Sequence, residues 1–315
     1  MGQSRGKIVN WPEYDLALKS RHRLDLWLDP ELIERWLSKA QPASGKAGRR
    51  RRYSELAICF CVKFKELLGL TFRAVEGFLE GLFKLVGVDL RVPDHTTLSR
   101  RSASDLGSSD LMSFGACDEG FVAAADSTGL KTTGRGEWLN KKHGVEGRRG
   151  WLKLHILIDV DSGEVKAAMA TDDKAGDCEV LPDLLSACES SPSILLGDGA
   201  YETVPLWRLC ESLGVELMAP PRKGAKLGRH PLRDEGIRHD RLNGRGSWKK
   251  DSGYHARSLV ETAMGRIKGI FGPGLACRSE RGQMAQIFVR LMCLNGMSRL
   301  GMPKRDDRCE LRRAA

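Results

Sequence analysis

Residues 151–170, WLKLHILIDVDSGEVKAAMA, decide the fold. Leu152, Leu154, Ile156 and Ile158 alternate with Lys153, His155 and Leu157, the period-two pattern of a strand. Asp161-Ser162-Gly163 then supplies a tight turn, and Val165 to Ala170 is the returning strand of a hairpin. Upstream, the apolar run Phe121 to Ala125 predicts a short strand closed by Asp126. Downstream, Asp177 to Cys188 is amphipathic at helical spacing, despite Pro182 near its start. Ile194 to Gly197 is an apolar strand, Val204 to Leu213 a helix and Val215 to Ala219 another strand. Three turn-joined strands followed by helix, strand, helix, strand and helix predict an α/β mixed sheet. Its first part is a meander and its second part is made of crossovers.

The first 115 residues read as helices. Pro30 after Asp29 opens a short one that ends near Leu37. Ser54 caps the next, which runs to Leu68 with Leu56, Phe60, Phe64 and Leu67 on one face. Gly69-Leu70-Thr71 is a turn before a helix from Phe72 to Leu85, and Pro93-Asp94 introduces a third from His95 to Leu106. Arg100 and Arg101 are expected on its exposed side. Three short helices with a basic third one suit a helix-turn-helix-like reader of duplex ends. A plain helical platform packed on the sheet accounts for the same pattern equally well.

Composition sets the outer bounds. The 315 residues are 41% hydrophobic, enough for a packed core, and carry a net charge of +10. That excess favours a polyanionic partner. No run reaches the ~18 apolar residues of a membrane span, and the opening MGQSRGKIVNWPEY holds no apolar signal core, so a cytoplasmic protein is expected. None of the nine cysteines forms a CxxC pair; Cys59, Cys61, Cys188, Cys210 and Cys293 read as buried free thiols rather than zinc ligands or disulfides. Between Pro221 and Lys250 stand ten Lys/Arg against three acids, and between Lys131 and Lys153 seven against two. The first stretch reads as a basic insertion at about 221–250 lying along a polyanion, or as a solvated loop. Trp138 and Trp248 could stack on unpaired bases there or simply pack. His155 reads as a strand residue and His143 as a loop residue.

Three acids stand out. Asp126 and Asp198 each follow a buried strand directly, where a carboxylate faces a cleft at the sheet's end or merely starts a turn. Two such carboxylates on adjacent strands would repel unless a cation lay between them. The third acid is Glu261, in the predicted helix Tyr254 to Lys268. At about 100° per residue, Tyr254, Arg257, Glu261 and Lys268 fall within roughly 60° on one face, while Leu259, Ala263, Ile267 and Ile270 gather elsewhere to pack on the sheet. An Arg257–Glu261 pair at i,i+4 stabilises any helix by about 0.2–0.5 kcal/mol. The same stripe also suits a metal-ligating carboxylate flanked by phosphate-binding groups.

Tyr254, Arg257, Glu261 and Lys268 match, without a gap, the Y-x2-R-x3-E-x6-K signature of bacterial insertion-sequence transposases. Asp126-Ser127-Thr128-Gly129-Leu130-Lys131 and Asp198-Gly199-Ala200-Tyr201 resemble the first two acidic motifs of the same DDE group. The chain most resembles the branch called insertion sequence family five, from about Asp25 to Pro303. The resemblance implies an RNase H-like (retroviral integrase-like) catalytic core over 116–303, preceded by an N-terminal helical, DNA-end-binding domain over 1–115 and followed by a basic tail at 304–315. It implies two Mg2+ ions, with Mn2+ as a substitute, held by Asp126, Asp198 and Glu261. Asp126 would bridge the ions, and Tyr254, Arg257, Lys268, Lys131, Arg100 and Arg101 would contact DNA. The implied partners are terminal inverted repeats and target DNA, held by a homodimer on paired ends. Two other readings share the acids: an RNase H-like endonuclease or resolvase without strand transfer, and an inactive DNA-binding derivative.

Overall fold

Strand β2 (Val122–Thr132) is the axis of the fold in the computed structural model, which describes residues 7–23, 27, 30–37, 52–115, 118–132 and 150–304. Its neighbours on one side are β3 (Trp151–Asp159), β4 (Val165–Thr171) and the edge strand β1 (Leu111–Ser113), all antiparallel. On the other side β5 (Ile194–Leu196) and β6 (Glu216–Met218) run parallel to it. The order is β1-β4-β3-β2-β5-β6, and the two-residue β7 (Gly274–Leu275) pairs with the far end of β2. This is the mixed sheet the alternation predicted, and Leu111–Ser113 already belong to it.

Two strand readings change. β2 does not close at Asp126 but continues six residues to Thr132, because β3 keeps pairing with it from Asp126↔Ile156 to Lys131↔Trp151. Only the parallel partner stops, at Ala124↔Leu196. Nor does β3 have one wet face: Leu157 and His155 are as fully buried as Leu154 and Ile156.

Helices cover both faces. α6 (Asp177–Ser186) and α7 (Val204–Ser212) bury Val180, Leu181, Leu206 and Trp207 against Ala123, Ala125 and Leu157. On the opposite face α9 (Ser258–Phe271) and α10 (Glu280–Arg299) bury Val260, Ile267, Ile287 and Leu291 against Ala124, Leu154 and Ile156. α10 is enclosed on all sides. Its Val289 and Cys293 face away from the sheet into a third core, with Trp36, Ile58, Phe60, Phe83 and Leu98.

That third core is the helical layer of the N-terminal third. α1 (Trp11–Ser20), which the apolar periodicity did not suggest, starts at Trp11-Pro12 after Asn10; α2 covers Pro30–Glu34. α3 (Glu55–Leu68) is capped by Ser54, whose Oγ accepts from Ala57 N at 3.1 Å, and ends on Gly69 at φ 64°. α4 (Phe72–Val86) is capped by Thr71. α5 (His95–Arg101) is capped by Asp94 and runs on into a wide π turn, Ser102–Leu106. Across the seam with α10, Glu66 accepts from Arg290 Nε at 2.7 Å and Gln286 Nε2 at 3.0 Å and pairs with Lys65, all of it buried. Among the described residues no helix is long and apolar enough to cross a membrane.

The segment 221–250 is loop only as far as His230. Pro231 opens α8 (Pro231–Asp251), broken at Gly244, where φ is 81°. Ile237 and Trp248 are buried, and several of the basic residues stitch the segment in place. Arg233 pairs with Glu202 below the surface, Arg241 donates to the Ala225 carbonyl at 2.6 Å, and Arg245 reaches Asp240 and the Pro221 carbonyl. Lys223, Lys226, Arg229, Arg238 and Lys250 remain exposed. Arg49 to Arg51, the stretch holding Arg135, Trp138, Lys141, Lys142, His143, Arg148 and Arg149, and the tail 305–315 lie outside the described residues.

Candidate active site

The register of the sheet sets the site. Ala124 and Leu196 are paired across β2 and β5. Asp126 and Asp198 each stand two residues beyond that pair, the first still within β2 and the second past the end of β5. Each carboxylate is turned by a local backbone donor: Ser127 N reaches Asp126 Oδ1 at 2.8 Å, and Ala200 N reaches Asp198 Oδ1 at 2.7 Å. Burial pushes the half-buried Asp126 carboxyl above its ordinary range, the Ser127 amide and Arg257 oppose that, and the Asp198 charge adds to it.

The covering face contributes the rest. The sequence predicted one helix from Tyr254 to Lys268. In the structure Gly253 is left-handed at φ 69°, Tyr254–Arg257 form a 3-10 turn, and the α-helix starts only at Ser258. The 100° spacing therefore holds from Glu261 onward but not for Tyr254. Arg257 is nevertheless well placed, with Nη1 3.0 Å from Asp126 Oδ2 and Nη2 bound to Glu261 Oε1. Tyr254 is buried against Trp248, ring centroids 5.3 Å apart, with the Lys249 ammonium and the Arg257 guanidinium near its face. Burial pushes its phenol up to about 12; Arg257 opposes this, and the charges of Asp198, Asp126 and Glu261 add to it. The hydroxyl thus lies within the field of all three acids.

Arg257 joins Asp126 and Glu261, and Asp198 and Tyr254 lie within electrostatic reach of them; the other expected contacts stand farther off. Lys268 is seven residues, about 10 Å, farther along α9, and half-buried. Lys131 is five residues, about 16 Å, farther along β2, exposed beside β7. Arg100 is exposed on α5. Arg101 must be corrected: it is buried, with Nε and Nη2 on Asp105 Oδ2 at 2.9 and 2.7 Å and Nη1 on the Tyr53 carbonyl. Its position in the last turn of α5 points it at the π turn. Trp248, read as a possible stacking platform, is likewise buried.

Two contributors were missed. Arg222 donates to the carbonyls of Gly199 and Ala200 at 2.8 and 3.0 Å, clamping the turn that carries Asp198. Tyr201, fully buried, folds back over Gly197 so closely that a Cβ there would sit 2.8 Å from its ring. Gly197→Ala is expected to destabilise the fold by roughly 1–3 kcal/mol, read as a lower urea midpoint. An unchanged midpoint would mean the ring yields freely. A sequence signal existed for Gly197, a glycine between an apolar strand and an acid.

The carboxylates are hard oxygen donors, the chemistry that Mg2+ or Mn2+ requires. Among the described residues no three acid, histidine or cysteine side chains converge closely enough to enclose an ion. The Arg257 guanidinium stands between Asp126 and Glu261 instead.

Asp126 within β2, Asp198 two residues past the end of β5 and Glu261 on the covering helix are the acids at this end of the mixed α/β sheet. A family model described as a transposase DDE domain matches residues 121–295, and a second with the same description matches residues 19–135. The chain belongs to the DDE transposases. A cryo-EM structure of a piggyBac transposase synaptic complex with hairpin DNA is similar at a TM-score of 0.41 and 12% identity, over 93% of this chain and 76% of that one.

Proposed function

We propose that this transposase binds the terminal inverted repeats of its own insertion sequence, hydrolyses a phosphodiester at each end and joins the freed 3′-hydroxyls to target DNA. The observation that carries this reading is the placing of Asp126 and Asp198 just past the last β2–β5 pair, with Arg257 joining the first of them to Glu261. The strand order, with β2 central between an antiparallel meander and parallel crossovers, supports an RNase H-like core. Asp126, Asp198 and Glu261 would hold two divalent ions, Mg2+ or Mn2+. When bound, such ions activate an attacking oxygen and stabilise the leaving one. Arg257 would turn from the acids to the scissile phosphate, a charge-assisted contact. Tyr254, Lys268, Lys131 and Arg100 would hold the flanking strand, and the layer α3 to α5 would read the repeat. Two ends must be held together, which a homodimer accomplishes.

Incubating the protein and Mg2+ with a pre-cut end and a supercoiled plasmid tests the proposal, which expects joined product. Cleavage without joining would place the chain among the endonucleases, and binding without any product would make it an inactive derivative. Arg257→Ala has two expected effects of opposite sign. Removing the resident cation tightens apparent Mn2+ binding several-fold. Removing the phosphate contact, worth about 1.5–3 kcal/mol, slows cleavage about 10- to 100-fold at saturating metal. Undiminished cleavage would confine Arg257 to pairing the acids.

A further inference from the structure

The turn that carries Asp198 is gripped by an arginine from a later segment of the chain. Asp198 stands just past β5, and its Oδ1 accepts the Ala200 amide at 2.7 Å. Arg222 takes two successive carbonyls of the same turn. Its Nε donates to Gly199 O at 2.8 Å and its Nη2 to Ala200 O at 3.0 Å. The Gly199 carbonyl and the Ala200 amide belong to one peptide unit. Such a unit is planar and trans, so its C=O and N–H point in opposite directions. Arg222 therefore holds one end of the unit whose other end holds the Asp198 carboxylate.

Arg222 is itself braced. Arginines of α8 fasten its loop at three carbonyls: Arg245 donates to Pro221 O, Arg241 Nη2 to Ala225 O at 2.6 Å, and Arg233 Nη1 to Lys226 O at 2.9 Å. Glu202, buried at the end of the turn, pairs with Arg233 and lies 3.9 Å from Arg222 Nε. Stability does not call for the clamp. The Arg222 side chain is 54% exposed, and water could serve the same carbonyls, so the exchange gains little. The gain is in direction. A rigid guanidinium fork on two carbonyls fixes the plane of the peptide, and a cation on the carbonyl oxygen polarises the N–H that faces Asp198.

We propose that Arg222 is a positioning residue that aims the Asp198 carboxylate for cation binding, through the peptide unit between Gly199 and Ala200. The inference rests on the reading of Asp198 as a metal ligand. Groups that orient a metal's ligands typically tune its affinity about 10- to 100-fold.

Mn2+ titration of the full chain without DNA, followed by electron paramagnetic resonance, tests it, because charge and position predict opposite signs. On charge alone, removing a cation beside the acids tightens Mn2+ binding. Lost aim weakens it. Arg222→Gln is expected to weaken Mn2+ binding roughly 10-fold. Arg222→Lys keeps the charge but lacks the fork, and it too binds Mn2+ more weakly than wild type. Lys223→Gln, which removes the exposed cation next in the chain, leaves Mn2+ affinity unchanged. Wild-type or tighter binding in either Arg222 variant would overturn the proposal, as would an equal loss in Lys223→Gln. A loss that tracks a lowered urea midpoint would make Arg222 a structural brace only, and a raised KM for DNA at wild-type Mn2+ affinity would make it a phosphate contact; both defeat the proposal. So does a wild-type protein that binds no Mn2+. A wild-type protein that binds Mn2+ but leaves transposon ends intact would defeat the proposed function, while the Mn2+ comparison would still decide the role of Arg222.

Discussion

Asp126→Asn is expected to reduce strand cleavage at a transposon end by roughly 1000-fold or more, about 4 kcal/mol of transition-state stabilisation. The substitution keeps the shape and leaves an oxygen for the Ser127 amide, now 2.8 Å from Oδ1, so the local turn should persist. It removes the charge that holds Arg257 at 3.0 Å and that would bind a divalent ion. Asp198→Asn should do the same, because its charge acts on Asp126 from just past the end of the neighbouring strand. Combining them should cost little more than either alone, since residues acting as one unit are not additive. The measurement is nicking of a labelled end duplex in Mg2+, with duplex binding as control. Near-wild-type nicking by Asp126→Asn would sink the assignment; lost binding would mean the acids shape the surface rather than the chemistry.

The second large effect concerns stability. Glu66 stands between α3 and α10 with Lys65, Gln286 and Arg290, and Arg290 is itself 4% exposed. Glu66→Ala leaves that guanidinium buried and uncompensated, which costs about 3–5 kcal/mol. Replacing Glu66 and Arg290 together by Leu and Met should restore only part of the loss, since Lys65 and Gln286 still lose their buried acceptor. The pH dependence has a definite sign. Burial raises the Glu66 carboxyl, yet Lys65 and Arg290 outweigh it and hold the group below its ordinary 4.5. Its contribution is therefore complete above about pH 4.5 and is lost as pH falls through the lower folded-state value. Urea unfolding of wild type and Glu66→Ala at pH 7 and at pH 3 should show the gap narrowing in acid. A constant gap would mean that lost packing, not charge, explains the variant.

The strands and most helices were legible because their signals are local. Alternation in 151–158, the turn at Asp161-Ser162-Gly163 and the caps Ser54 and Asp94 depend only on neighbours in the chain. The end of β2 was not legible. Whether an acid closes a strand or sits within it depends on a partner strand, and β3 continues where β5 stops. Arg101 read as exposed because helical spacing says which residues share a face but not what that face meets; it meets Asp105 and the Tyr53 carbonyl. The basic stretch at 221–250 read as an insertion along a polyanion or a solvated loop, and its helix was not legible because Gly244 and the sparse apolar residues mask two helical pieces, held by Ile237, Trp248 and the Arg233–Glu202 pair.

By itself the sequence determined the alternating apolar pattern of the sheet, the order of its elements and three acids in blocks resembling those of DDE transposases. Those features follow from side-chain period and residue chemistry, which need no partner to be expressed. Only the tertiary structure decided that Asp126 and Asp198 stand at the same end of β2 and β5, that Arg257 stands between Asp126 and Glu261, and that Arg222 clamps the turn carrying Asp198. Each of these joins residues far apart in the chain, and which groups meet is fixed by strand register and helix docking.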